Sequence, residues 1–420
     1  MARITFAAVA LVFGIAYALV TPPFEVPDEV GHYWRASSIA YGFVASGRTM
    51  MPHGFADLVW VLWTPDRTRH MTADRMSTAR GVMLEPGKRV PLRTPSYYSP
   101  AAYVPQIAAA AAARIIGLRP FHGFYLGRLA TLFASIAIII FAGAIAPDFR
   151  DHFHAAALLP MSLFLFGSWS ADAMTIAAAF LTSAVILRAF SGRVSIFAII
   201  AASFWLALCK PSYALISLLA LLIPEKRRLL VPLLLIVVIG ASILSASLTM
   251  STAVALPRPD LPVDAHAQLQ FIRDDPFRFV QIIMHDLRAN GVDYLESMTG
   301  RFGLYELKLP IGVTALLLIM LAAVGVMNGA SLPVRVRIST FAIIGAIFSA
   351  ILTYLYITSS IAGGRTIEGT QGRYILPVLP LAMACMRVPA IRVRVPHTVI
   401  IAVAAVANAI GIAVLVHRYW

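Results

Sequence analysis

Apolar runs of about 15 to 24 residues recur along the whole chain, separated by short polar turns, and about 20 apolar residues are what one helix needs to cross a bilayer. A soluble fold has no way to bury so many such runs at once. The composition agrees: of 420 residues, 59% are hydrophobic and 13% charged, and the mean hydropathy is +0.80. The fold class expected is all-α, a polytopic helical membrane protein forming a single integral membrane domain over residues 1–420. The net charge of +14 would suggest nucleic acid in a soluble domain, but the arginines are spread through connecting loops rather than gathered on one face. No nucleic-acid partner is expected, and the excess reads as membrane topology and contact with anionic lipid. Cys209 and Cys385 each sit in an apolar segment without a second ligand nearby in sequence, so they read as packing residues.

The pattern predicts about eleven crossings, at 4–20, 124–145, 155–170, 172–190, 194–209, 211–223, 231–248, 310–327, 338–359, 374–387 and 397–416. The first run is read as an anchor that leaves the N-terminus cytoplasmic behind Arg3; Ala16-Tyr17-Ala18 also resembles a signal-peptidase site, which keeps cleavage as the alternative. Basic short loops favour the cytoplasm. The Arg188/Arg193, Glu225-Lys226-Arg227-Arg228, Arg335/Arg337 and Arg387/Arg392/Arg394 turns therefore fall inside, and the loops at 21–98, 249–309 and 361–373 fall outside, with Lys210-Pro211 and the Asp172 turn. The segment Pro100 to Gly117 would break this alternation if it crossed, so it reads as in-plane or re-entrant, an additional crossing being the alternative.

Two helices are expected within the outer loops. Pro27-Asp28-Glu29 reads as the opening turn of one, which carries Asp28, His32 and Arg35 at i, i+4 and i+7. Asp275-Pro276 begins another, with Phe277, Val280, Ile283, Met284 and Leu287 along one side and an end at Asn290-Gly291. Both read as amphipathic helices on the outer membrane surface.

Residues able to do chemistry collect on that same face. Asp28 and Glu29 lie where a lipid headgroup meets water; neighbouring carboxylates on a helix point about 100° apart, so one can face a reaction while the other orients a donor group or a metal. Their bland reading is helix capping, and that of His32 is a packed histidine. Asp172 opens a helix and is either a cap or a site residue. Lys210 interrupts an apolar stretch, where a buried cation demands a partner; it either holds a phosphate or snorkels. Glycines around Arg365 and Arg373 let a charged ligand approach the backbone, with Arg373 and Tyr374 at the membrane boundary suited to a lipid phosphate or to plain anchoring. Arg301, in Gly300-Arg301-Phe302-Gly303, is a weaker candidate of the same kind. Trp60, Trp63, Tyr97 and Tyr98 offer faces for sugar rings or belong to the interfacial belt. Metal use is open, a divalent cation (Mg or Mn) being the candidate.

At these residues the chain resembles a bacterial membrane family, domain of unknown function 2142. The resemblance rests on Pro22-Pro23-Phe24 followed by Pro27-Asp28-Glu29, His32 and Arg35-Ala36, then on the Asp172 turn, Lys210-Pro211, Asp275-Pro276, and Gln371-Gly372-Arg373-Tyr374 with Leu376-Pro377. That family in turn looks like the GT-C glycosyltransferases, in which an acidic pair in the first outer loop carries catalysis. The resemblance implies a membrane glycosyltransferase of a bacterial cytoplasmic membrane, taking sugar from a polyprenyl-phosphate carrier to a glycan, lipid or protein acceptor at the outer face. Asp28 and Glu29 would be catalytic, and His32, Arg35, Asp172, Lys210, Arg301, Arg365, Arg373 and Tyr374 would bind substrate. One departure is Ser168-Trp169-Ser170-Ala171-Asp172, where Tyr or Asn is expected immediately before the acid. A transporter or flippase of lipid-linked sugars is the rival class, and a scaffold for a cell-surface machine is a third.

Overall fold

A computed structural model describes residues 2–44, 47–63, 70–85, 87–94, 98–191, 194–223, 231–250 and 263–420. Among them, helices Ala2–Val20, Pro120–Ile145, Ala171–Ala189, Val334–Ser359 and His397–Tyr419 are long and apolar enough to cross a membrane. Shorter apolar helices occupy Ile196–Cys209, Pro211–Leu222, Leu233–Ser245, Ile311–Met327 and Gly372–Cys385. With the broken pair Arg150–Ala157 and Pro160–Phe166, every expected span is helical. The fold is thus an all-α polytopic membrane protein.

Three spans are irregular, each for a visible reason. Pro160 ends the first helix of the broken pair, since it has no N–H to give and restricts the residue before it. Residues Pro211–Leu222 form a 3-10 helix; at about 2.0 Å rise per residue it reaches about 24 Å, against about 18 Å for an α-helix of equal length. That stretching lets a short segment reach further. Gly372–Val378 is likewise 3-10, and Pro380 opens the α-helix Leu379–Cys385 that follows.

Each end of the bundle is held by its own set of contacts. At one end Asn328 and His397 both reach Asp151, His397 also meets the carbonyl of Ala2, and Arg387 donates to Val326 O. The other end brings together the loop after the first helix, the start of Ala171–Ala189, Lys210, Arg373 and Tyr419. Helix Val104–Ile115 begins and ends at this second end: Gln106 donates to Trp169 O and Ser170 O, while Ala113 faces Gly123 near the start of the next helix. Its 12 residues cover about 18 Å, short of the roughly 30 Å core of a bilayer. The Arg193 and 225–228 turns lie outside the described residues.

The outer layer departs from expectation in three ways. Helix Glu29–Ala40 does not lie on a surface; Glu29, His32, Tyr33, Arg35, Ala36, Ser37 and Ser38 are all buried, so neighbours close on it from several sides. The helix begun at Asp275-Pro276 runs on through Asn290-Gly291 to Gly300. Asn290 and Tyr294 both donate to the buried Asp286 carboxylate, which splices the two halves, and Gly291 keeps a helical backbone. Its buried side carries Phe279 and Ile282 against Leu352, Tyr356 and Ile367, whereas Phe277, Val280 and Met284 stay exposed. Finally, the loops hold short antiparallel strand pairs, Gly47–Pro52 with Arg89–Thr94 and Arg301–Phe302 with Leu307–Lys308. Their short, irregular patterns lack the alternation by which strands are read.

Candidate active site

The loop Thr21 to Asp28 hangs from one buried arginine. Arg128, inside the long Pro120–Ile145 helix, donates to the carbonyls of Ala18, Thr21 and Pro22 and forms two bonds to Glu29, Nε to Oε1 at 2.9 Å and Nη2 to Oε2 at 2.7 Å. Glu29 also accepts from Phe24 N at 2.9 Å and Trp169 N at 3.1 Å. Both its oxygens are saturated and its side chain is fully buried. The expectation that Glu29 is catalytic, orienting a donor group or a metal, is therefore corrected: it is the structural half of a bidentate ion pair. Arg128 is the residue that sequence reasoning missed, although an arginine within an apolar span demands a partner and so signalled one.

Asp28 is set apart by this anchoring. Its backbone is left-handed (φ 63°, ψ 5°), and its side chain caps nothing on the helix it precedes. Asp tolerates that region better than most residues, but the conformation persists only where surroundings enforce it. The carboxylate turns outward and meets Arg373 Nη2 at 3.1 Å, across 345 positions of sequence. Asp28 is 68% exposed and Arg373 4%, so the acid sits on the rim and the guanidinium beneath it.

Arg373 is placed by its predecessor. Gly372 N donates to Ser297 Oγ at 2.8 Å, and a Cβ on Gly372 would lie 1.8 Å from Tyr294 O. Only glycine allows that approach. Gly372→Ala should push Arg373 out of register; the expected outcome is a marked drop in thermal stability together with loss of anion binding, measured on the purified protein.

Behind Arg373 stands a second carboxylate. Asp172 Oδ2 lies 3.4 Å from Arg373 Nε, and Asp172 Oδ1 lies 3.6 Å from Lys210 Nζ. The Tyr98 hydroxyl donates to the same Oδ1 at 3.3 Å. Lys210 is ringed by Tyr374, Tyr98 and Tyr213 at 4.8, 5.3 and 5.5 Å from their ring centres. The Ser170 hydroxyl, not Asp172, caps the helix here, accepting from Asp172 N. Asp172 thus belongs to the site and holds two cations in place. Lys210 faces Asp172 and the tyrosines, so its expected grip on a phosphate is corrected to a positioning role.

Burial holds the His32 ring below the ordinary histidine range, so it is neutral at neutral pH. Its Nδ1 meets the Tyr103 hydroxyl at 2.7 Å, and its ring lies 5.6 Å from that of Tyr98. It is a packed histidine at the edge of the site. Three other expected ligands fall away. Arg35 is buried and gives Nη2 to Val44 O at 2.8 Å, its Nε and Nη1 are without a hydrogen-bond partner, and it shares none of the contacts of Asp28 or Arg373 among the described residues. Arg301, on the neighbouring hairpin, pairs with Asp293 of the Pro276–Gly300 helix. Arg365 is exposed on the Gly363 turn and shares none of the contacts of Asp28 or Arg373 among the described residues. Tyr374 stays, its ring 5.6 Å from Arg373 and its carbonyl accepting from Tyr213. Tyr97 lies outside the described residues.

A divalent cation does not suit this donor set. Arg373 already lies between the carboxylates of Asp28 and Asp172, Lys210 pairs with Asp172, and Glu29 is consumed by Arg128. The described residues hold no group of three or more His, Cys, Asp or Glu able to bind a metal. What the site offers is an exposed base against a buried guanidinium. Arg373 Nη1 is buried without a hydrogen-bond partner, an open donor to an oxyanion.

The family profile described as predicted membrane protein (DUF2142) matches residues 11–382. That interval contains every member of the site. Comparison with curated proteins and with solved structures finds no match.

Proposed function

The chain belongs to the DUF2142 family of predicted membrane proteins, and we propose that within it this protein is a glycosyltransferase that moves a sugar from a polyprenyl-phosphate carrier to a cell-envelope acceptor. The observation that carries this reading is the pairing of exposed Asp28 with buried Arg373, whose Nη1 is unbonded, at one end of an apolar helical bundle. A lipid phosphate approaches from the membrane and takes Arg373, with its chain between helices. Its negative charge competes with Asp28 for the guanidinium. Asp28, so freed, accepts the proton of the acceptor hydroxyl as that oxygen bonds to the anomeric carbon. The bond from that carbon to the phosphate oxygen breaks, and the lipid phosphate leaves with its electron pair against Arg373. A single displacement inverts the anomeric centre.

Asp172, Lys210 and Tyr98 touch no reacting atom in this scheme. They fix the guanidinium, because Asp172 bridges both cations and a misplaced donor loses most of its worth. The site then faces the outside of a bacterial cytoplasmic membrane. Purified protein incubated with labelled polyprenyl-phosphate sugars and an extract of envelope acceptors should release free lipid phosphate. Passage of intact carrier across a vesicle membrane without cleavage would instead make the protein a flippase. A scaffold would retain its function in Asp28→Asn, which leaves the buried ties of the fold in place.

A further inference from the structure

The helix Pro276–Gly300 has three sides, of which the bundle and the polar residues account for two. On one side Phe279, Ile282, Asp286, Tyr294 and Ser297 are buried. A second carries Arg278, His285 and Glu296. At about 100° per residue, Phe277, Val280, Met284 and Leu295 fall together on the third, and all four are exposed. An apolar side of that length marks a contact surface.

The packing of the helix shows what it faces. Phe279 meets Tyr356 at 5.2 Å between ring centres, and Tyr294 meets Phe348 at 5.8 Å. From the first contact to the second the helix advances about 22 Å while stepping about 12 Å down the Val334–Ser359 span, at about 1.5 Å rise per residue. It therefore slants from the site end of that span towards the middle of the bilayer. Phe348, Leu352 and Tyr356 form the face of the span that it covers. Continued by heptads towards the other end, the same face carries Phe341 and Ile338, both exposed. Exposed apolar residues on a crossing helix meet hydrocarbon. The Pro276–Gly300 helix thus covers half of a lipid-facing surface, and its own apolar side continues that surface outward. One charge interrupts this side: Arg288, exposed one turn after Met284, has a stem long enough to bring its guanidinium to the headgroups.

The far end of the same helix supports the site. Gly372 N donates to Ser297 Oγ at 2.8 Å, and Tyr294 O lies where a Cβ on Gly372 would point. We infer that this helix is a lipid-seated arm, its Phe277-to-Leu295 side lying in the acyl chains of the adjoining leaflet, and that the seat sets the position of Arg373 through Ser297. The seat stands on the packing alone. Its effect on a ligand rests on the reading of Arg373 as the lipid-phosphate site.

Spin labels on Val280→Cys, Met284→Cys and, on the polar side, His285→Cys test the seat in full-length protein held in vesicles of phosphatidylethanolamine and phosphatidylglycerol. Native Cys209 and Cys385 are buried, so the label goes to the introduced thiol. Labels at 280 and 284 should collide more with oxygen, which concentrates in hydrocarbon, than with a nickel chelate, which stays in water; the label at 285 should show the reverse. One pattern shared by all three labels would overturn the seat, as would labels at 280 and 284 shielded from both reagents by a second copy or another protein. The link to Arg373 is tested in the same vesicles by combining Val280→Asn with Met284→Asn. Farnesyl phosphate affinity should fall about 2- to 30-fold, the range for coupling through packed elements, and no such fall should follow when Ser297→Ala is already present. Undiminished affinity, or a loss that simply adds to that of Ser297→Ala, would overturn the link and leave the seat. Wild-type protein that binds no farnesyl phosphate would overturn the Arg373 reading and the link with it, while the labels still decide the seat.

Discussion

Asp28→Asn should cut turnover by about a hundred- to ten-thousand-fold, the usual worth of a positioned general base, while lipid-phosphate binding becomes tighter. The two halves of that result have different origins. Turnover falls because an amide cannot take the acceptor proton. Binding improves because Asp28 holds Arg373 at 3.1 Å, and a phosphate must displace that carboxylate. The amide is a weaker rival, since it carries no negative charge to attract the guanidinium. The folded protein should be recovered in normal yield, as the Asp28 side chain is largely exposed and caps no helix.

Glu29→Gln should behave in the opposite way, although the two acids are neighbours in sequence. Its side chain and that of Arg128 are wholly buried. Removing one partner of such a pair leaves an uncompensated charge, at a cost of about 3–5 kcal/mol. Arg128 would still bond Ala18 O, Thr21 O and Pro22 O, but the loop that presents Asp28 would lose its main tie. The variant should show low folded yield and a lowered melting temperature, with residual activity tracking the folded fraction. A stable, well-expressed Glu29→Gln protein that lacks activity would instead restore Glu29 to the chemistry.

This contrast shows how much of the molecule is legible in one dimension. Apolar runs reveal the bundle because each span needs its own length of hydrocarbon-compatible sequence. The meeting of Asp28 and Arg373 is legible too: alternating basic turns assign both to one end, and the Gln371-Gly372-Arg373 turn has the glycine that a close approach needs. The fate of Glu29 is not, because nothing in the order of residues says which acid answers Arg128, 99 positions away. Nor is the continuation of the 276–300 helix, where Asn290-Gly291 carries a stop signal that Asp286 and Tyr294 override.

The most direct measurement compares lipid-phosphate binding and sugar release in the same preparations of wild type, Asp28→Asn and Arg373→Lys. Arg373→Lys keeps the charge but loses the fork of donors that reaches Asp28, Asp172 and the anion together. The account predicts that Asp28→Asn binds the carrier at least as tightly as wild type and releases almost no lipid phosphate, whereas Arg373→Lys binds it poorly. Equal release by wild type and Asp28→Asn, or undiminished binding by Arg373→Lys, would contradict it.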